Sequence, residues 1–360
     1  MKKVAALVAV CLLCCLLPAR AAEETGICGE NLSWTVADGK LTLSGFGDMY
    51  WYDMGSAPWY PLRESIRSVE VEAGVSGLSY CAFFYLTEVT EVSLPDTLRT
   101  IGGMGFYGCR SLPEAYLPAG VSEIGDDAFF GCRSLRAIRV DAGNPVFRDE
   151  DGVLFSGDHL ICYPAARPGA RYEIPAGTAS VGECAFSYSP LEELYLPDSL
   201  RSFHPTALGD CYLLRSVETG GGNWAYTAWD GVLYSGSMRT LICYPPQKTG
   251  EVYRVPAAVE TVGNRALAYN PYLKRVEFSG QVKELGSMAF VGCTALRRVL
   301  FRGNAPEELG FQPCSRDMRV FYLPEGKGWL EADVDAWNAR ELSAWTEESS
   351  LLATRGRLTQ

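Results

Sequence analysis

The sequence predicts a β-rich repeat solenoid with one short parallel strand per repeat of about 23 residues, and three observations predict it. The phrase Ala128, Phe129, Phe130, Gly131, Cys132, Arg133, Ser134, Leu135 recurs in altered forms that open on Tyr60, Phe83, Phe106, Phe129, Phe186, Leu208, Leu267 and Phe290, at steps of 23, 23, 23, 57, 22, 59 and 23. Aliphatic and aromatic residues follow at fixed offsets: Val89, Val92 and Leu94 after Phe83, Leu135, Ile138 and Val140 after Phe129, Leu273, Val276 and Phe278 after Leu267. The two long steps hold copies of one insertion, Asp151 to Gly157 matching Asp230 to Gly236, and Leu160 to Pro164 matching Leu241 to Pro245.

Alternating apolar positions bury one face of a short strand, and a single such unit is too small to fold alone. Stacked units share one elongated interior, each touching the units before and after it. The LxxLxL stretch followed by IGxxAFxxC resembles the BspA type of bacterial leucine-rich repeat. Ile124, Gly125, Asp126, Asp127, Ala128 and Phe129 with Cys132, and Leu194, Tyr195, Leu196 and Pro197, carry the resemblance, which covers roughly residues 25 to 330. It implies a secreted or surface binding scaffold and, in some members, adhesion to host or microbial surfaces. It implies no particular ligand.

Each element has its own justification, in order along the chain. Lys2 and Lys3, the apolar run Val4 to Leu17 and the AxA site Ala19, Arg20, Ala21 read as a secretory signal over residues 1–21, cut after Ala21. Residues 22–58 are expected to form an N-terminal β-hairpin cap: Leu32, Trp34 and Val36 alternate, Asp38 and Gly39 mark a tight turn, and Leu41 and Leu43 alternate again. The solenoid is expected over 59–324, with hairpin insertions at about 141–175 and 219–256 placed at one edge of the stack. Trp329, Trp337 and Trp345 suggest a C-terminal cap over 325–346 that packs the last repeat, and the polar residues 347–360 read as a disordered tail. No later segment is a continuous apolar run long enough to span a bilayer.

Cleavage would leave 29 basic against 43 acidic residues, a formal charge of −14. That balance argues against nucleic acid or anionic lipid as partner, because phosphate recognition needs a basic face. Ten cysteines would remain. Cys109, Cys132, Cys211 and Cys293 fall three residues after their opening residues, in a slot that holds Asn270, Leu86 or Ser189 elsewhere, so they read as small buried apolar residues in a turn. Cys28 and Cys314 are better placed than this ladder for a disulfide.

Motifs for catalysis are missing. Gly103 to Gly108 matches GxGxxG but sits in the register of a repeat turn, not between a strand and a helix. His159 and His204 lie in no GxSxG or HExxH frame, and the exported chain has no CxxC. No cofactor, metal or enzyme activity is indicated. The expected contact area is the row of outward strand residues: Tyr116, Arg139, Tyr195, Glu218, Glu277, Arg275 and Arg298, mixing the aromatic and charged groups that protein interfaces use. A second candidate is the cluster Trp224, Tyr226 and Trp229 before the second insertion, which would suit a carbohydrate. The expected partner is therefore an extracellular protein or a surface glycan.

Overall fold

The computed structural model of the chain describes residues 23–309, 318–323, 325–329 and 340–341. The secretory signal at 1–21, Cys314, Trp337, Trp345 and the tail at 347–360 lie outside the described residues.

Successive repeats stack in register, one repeat length apart. The LxxLxL strands pair in parallel so that like residues meet: Val69 faces Val92, Ala115 faces Ile138, Leu194 faces Val217 and Val276 faces Val299. Two-residue strands form a second parallel row, in which Ile101 faces Ile124, Val181 faces Phe203 and Val262 faces Leu285. Between the rows, the turn that opens each repeat makes a third backbone ladder, with Phe83 N donating to Gly105 O at 2.8 Å and Phe106 N to Ala128 O at 2.8 Å. This ladder accounts for Gly103 to Gly108. Met104 at φ 54° and Gly108 at φ 73° are the two left-handed corners of one turn, as Cys184 and Tyr188 are of another, at φ 49° and 62°. The match to a nucleotide motif is a by-product of turn geometry.

The cysteine slot is buried, and it does more than fill space. The thiols of Cys109, Cys132 and Cys211 each donate to the carbonyl of the opening residue one repeat back, Phe83, Phe106 and Phe186, at 3.2, 3.1 and 3.1 Å. Asn270, in the same slot, donates to Pro245 O at 3.2 Å and Lys248 O at 2.9 Å, and accepts from Leu273 N at 2.9 Å. Leu86, equally buried in this slot, has no donor, so the slot selects for a small buried group and adds an inward bond where the side chain can donate one.

At the front, Glu24–Gly29, Leu32–Ala37 and Lys40–Gly45 form an antiparallel meander whose last strand pairs in parallel with Ser68–Val71. Asp38 and Gly39 both take positive φ, 50° and 80°, as a tight two-residue hairpin demands. Trp34 and Trp59 meet edge to face at 5.9 Å, and Trp59 Nε1 donates to Ala82 O at 2.9 Å, tying the meander to the repeat that follows. At the other end Trp329 is buried, stacks on Tyr322 at 4.9 Å and donates to Gly303 O at 3.1 Å.

The insertions differ from the expectation in a way that matters. Each is a three-stranded meander, Phe147–Glu150, Val153–Ser156 and His159–Cys162 in the first, Tyr226–Trp229, Val232–Ser235 and Thr240–Cys243 in the second. Their third strands join the second parallel row, Leu160 facing Val181 and Leu241 facing Val262. Instead of hanging on one edge, the middle strands cross the interior. Leu154 belongs to the first core with Ile138 and Phe147, whereas Val153 and Phe155 belong to the next core with Tyr172 and Leu194. Leu233 and Val232 divide the second and third cores in the same way. The interior is thus three successive cores separated by two strands buried on both faces, because a period of two sends neighbouring side chains to opposite sides.

Candidate functional site

Two surfaces qualify. On the outer strand face, Tyr116 and Arg139 are opposite each other in register and both exposed. The Tyr116 hydroxyl donates to Asp141 Oδ2 at 2.6 Å, and Arg139 reaches Glu114 at 3.1 Å and Asp149 at 3.3 Å. These carboxylates hold the Arg139 guanidinium firmly charged, the bonds from Glu114 and Asp149 raising its pKa. In the middle stretch Tyr195 is half-buried and pairs in register with Glu218, while Arg171 bridges Glu173, Glu193 and Glu218 at 3.1, 3.3 and 3.6 Å.

The same row behaves differently in the last stretch. Glu277, expected to face solvent, is 3% exposed. It is enclosed by Arg275, by Arg302 at 3.0 Å and by Arg254 at 3.6 Å. Burial alone would raise its carboxyl pKa, but bonds from Arg302 and Arg275 and the charges of Arg275 and Arg254 outweigh burial and hold it below its usual value. Arg275 is mostly covered, and Arg298 stands exposed one strand on, in register with it. The outward row is therefore open in the first two stretches and closed over its carboxylate in the third.

The Trp224 group does not come together. Trp224 is 71% exposed and lies under the Arg201 guanidinium at 4.9 Å. Tyr226 packs edge-on against Phe203 at 6.1 Å, and Trp229, 59% exposed, sits at the far end of the same strand, on the opposite face from Tyr226. Strand alternation separates Tyr226 from Trp229, and Trp224 lies before the strand, drawn to Arg201.

The second surface escaped sequence reasoning. Where an insertion replaces a repeat, Ile161, Cys162, Tyr163 and Pro164 run straight through, with no Ala-Phe turn, and so do Ile242, Cys243, Tyr244 and Pro245. A shelf is missing at both places, and a cleft opens at each. The first, about 560 Å³, lies between the Phe129 turn and the Phe186 turn over a floor of Ile161 and Cys162. The second, about 400 Å³, lies between the Leu208 turn and the Leu267 turn over Ile242 and Cys243. A stripe of half-exposed rings bridges both gaps, from Tyr107 to Phe130 at 5.0 Å, Tyr188 at 5.3 Å, Tyr212 at 6.1 Å and Tyr269 at 4.9 Å. Arg133 caps the Tyr188 ring at 4.4 Å. The sequence signal was the aromatic that recurs within four residues after Phe83, Phe106, Phe129, Phe186, Leu208 and Leu267. His159, on the first cleft's wall, has its pKa lowered by burial, and its Nδ1 is 2.7 Å from Ser180 Oγ.

Among the described residues no helix is long and apolar enough to cross a membrane. No curated protein matches the chain. A leucine rich cell surface protein from Faecalibacterium prausnitzii A2-165 is 19% identical over 87% of this chain and 92% of its own, with a TM-score of 0.51. A leucine-rich repeat protein from Eubacterium ventriosum ATCC 27560 is 22% identical over 84% and 79%, TM-score 0.49, and the pneumococcal vaccine antigen PcpA 14% identical over 88% and 97%, TM-score 0.49. At these identities the first shows the fold alone. The pattern of the BspA type leucine rich repeat region matches in six copies, at residues 61–149, 170–224 and 251–312, more than half of the chain. The chain belongs to the BspA type leucine-rich repeat family.

Proposed function

We propose that the chain is a secreted or cell-surface leucine-rich repeat scaffold that binds an extracellular protein or surface polymer through its outward strand face, in an adhesive role. The observation that carries this reading is the Tyr116 and Arg139 pair, exposed in register and held by Asp141, Glu114 and Asp149. Tyrosine and arginine dominate interface energetics, and side chains already fixed by carboxylates lose less entropy on binding. Screening extracellular proteins and surface polymers for ligands, then comparing the wild type with Tyr116→Ala and Arg139→Ala, tests it. Each substitution is expected to weaken the best ligand at least about tenfold; a ligand held equally well by both variants removes the strand face from consideration. Export is part of the proposal, and sequencing the N-terminus of protein recovered outside the cell should find Ala22 first.

A carbohydrate-binding reading rests on Trp224 and Trp229, each well exposed, Trp224 offering the ring face opposite Arg201. Glycan binding abolished by Trp229→Ala and untouched by Tyr116→Ala would favour it over protein recognition.

A further inference from the structure

The two clefts arise from the same insertion, and their comparison shows what one of them lacks. In the second cleft the Leu208 wall carries Asp210, and Arg265 from the opposite wall supplies its cation at 3.5 Å. In the first cleft Glu123, Asp126 and Asp127 line one wall and Glu183 the other, with no lysine or arginine among the described residues of its lining; Asp127 and Ser187 stand between the two clefts and line both. Asp127 Oδ1 and Ser187 Oγ are both buried in that lining without a hydrogen-bond partner among the described residues, and Ser187 is 8% exposed. The Cys184 thiol lies beside both, and its contact with the carboxyl works against a rise in the Asp127 pKa without giving Asp127 Oδ1 or Ser187 Oγ a full hydrogen bond. Burial, and next the charge of Glu183, push the Asp127 carboxyl pKa up. The nearest imidazole, His204, is bound to Thr206 Oγ1 at 2.9 Å.

We propose that the cleft between the Phe129 and Phe186 turns receives a lysine or arginine side chain of a polypeptide partner, its apolar stem over Ile161 and its charged head at Asp127 and Glu183. The chemistry fits on each count. A long basic side chain lays methylenes on an apolar floor while its head finds carboxylates. The head gives Asp127 Oδ1 the donor and the cation that Asp210 has from Tyr212 and Arg265. A volume of about 560 Å³ accepts one such side chain with its neighbouring backbone. This inference rests on the reading of the chain as a protein-binding scaffold and names the chemistry of that protein.

The experiment uses acetylated, amidated five-residue peptides of alanine with lysine, arginine or norleucine at the centre, titrated against full-length protein while the methyl resonances of Ile124 and Ile161 are followed. Lysine and arginine peptides should shift both resonances in a saturable, salt-sensitive way, and the norleucine peptide should not. Asp127→Asn should weaken the effect at least about tenfold. Asparagine tolerates the left-handed backbone at this position, φ 55°, so the variant keeps the fold, checked by unchanged methyl resonances elsewhere. Equal shifts with norleucine, an unaltered response in Asp127→Asn, or no shift with any peptide overturns the proposal. A protein ligand lost with Tyr116→Ala but held by Asp127→Asn leaves the scaffold reading standing and removes this one. Basic peptides captured by the cleft in a chain that binds no protein does the reverse.

Discussion

Val153 and Leu154, adjacent in the chain, face different cores: Leu154 lies with Ile138 and Phe147, Val153 with Tyr172 and Leu194. One strand thus walls off two stretches of solenoid. Both residues are fully buried, so truncating either removes contacts from one side of the wall only.

Leu154→Ala is expected to cost about 2–5 kcal/mol, the range for deleting a buried leucine side chain. Amide exchange should quicken first in strands such as Glu114–Leu117, on its own side, whereas Val153→Ala should loosen Glu193–Leu196. If both substitutions loosen the same strands equally, the cores are not separate.

The ring of Tyr269 occupies the space a side chain at Gly292 would need, since a Cβ there would meet Cδ1 at 2.3 Å. Gly131, one of the other left-handed corners, has almost the same φ, 74° against 73°, and no neighbour nearer than 3.5 Å to such a Cβ. Gly131→Ala should therefore report the backbone penalty alone, about 1–2 kcal/mol. Gly292→Ala should cost a further ~1–3 kcal/mol of crowding, most of it relieved in the double variant with Tyr269→Ala. Urea denaturation of the set checks this.

Glu277 makes stability depend on acid. Its folded pKa lies below the unfolded value near 4.5, so its contribution is fully present above that pH and is lost as pH falls through the folded pKa. At pH 7 Glu277→Gln should destabilise by about 1–3 kcal/mol, because the mostly covered Arg275 loses its carboxylate while Arg302 and Arg254 remain open to solvent. The gap between wild type and variant should narrow as the pH is lowered below 4.5. A constant gap would show that charge is not what Glu277 contributes.

The turn cysteines should resist alkylation. Burial pushes the Cys109 thiol up to about 12 and Cys132 well above its ordinary value. At pH 8 a thiol with a pKa near 12 is ionised to roughly one part in 10⁴, and only the thiolate reacts. Iodoacetamide should modify Cys109 and Cys132 only after denaturation, as peptide mass mapping would show. Fast native labelling of either would mean that the slot opens.

Much of this was legible in the residues. The offsets of Val89, Val92 and Leu94, repeated after Phe129 and Leu267, gave away strand positions because alternate burial leaves a local imprint. The partition left one as well, unread: Val153, Leu154 and Phe155 form an unbroken apolar run, and such a run marks a strand buried on both faces. Glu277 was illegible, since the arginines that enclose it, Arg254 and Arg302, come from neighbouring repeats. The first cleft was illegible too, because it consists of a turn that the insertion omits.

The sequence by itself determined the repeat length, the strand positions, the glycine-bearing turns and hence the family, since these follow from short-range periodicity and from what each side chain tolerates locally. Only the tertiary structure decided that the interior is divided in three, that arginines close over Glu277 on the outward face, that the tryptophans part company and that Asp127 stands on the wall of a cleft lined by carboxylates. Those outcomes depend on which groups meet across repeats or across an insertion, and one-dimensional spacing carries no record of such meetings.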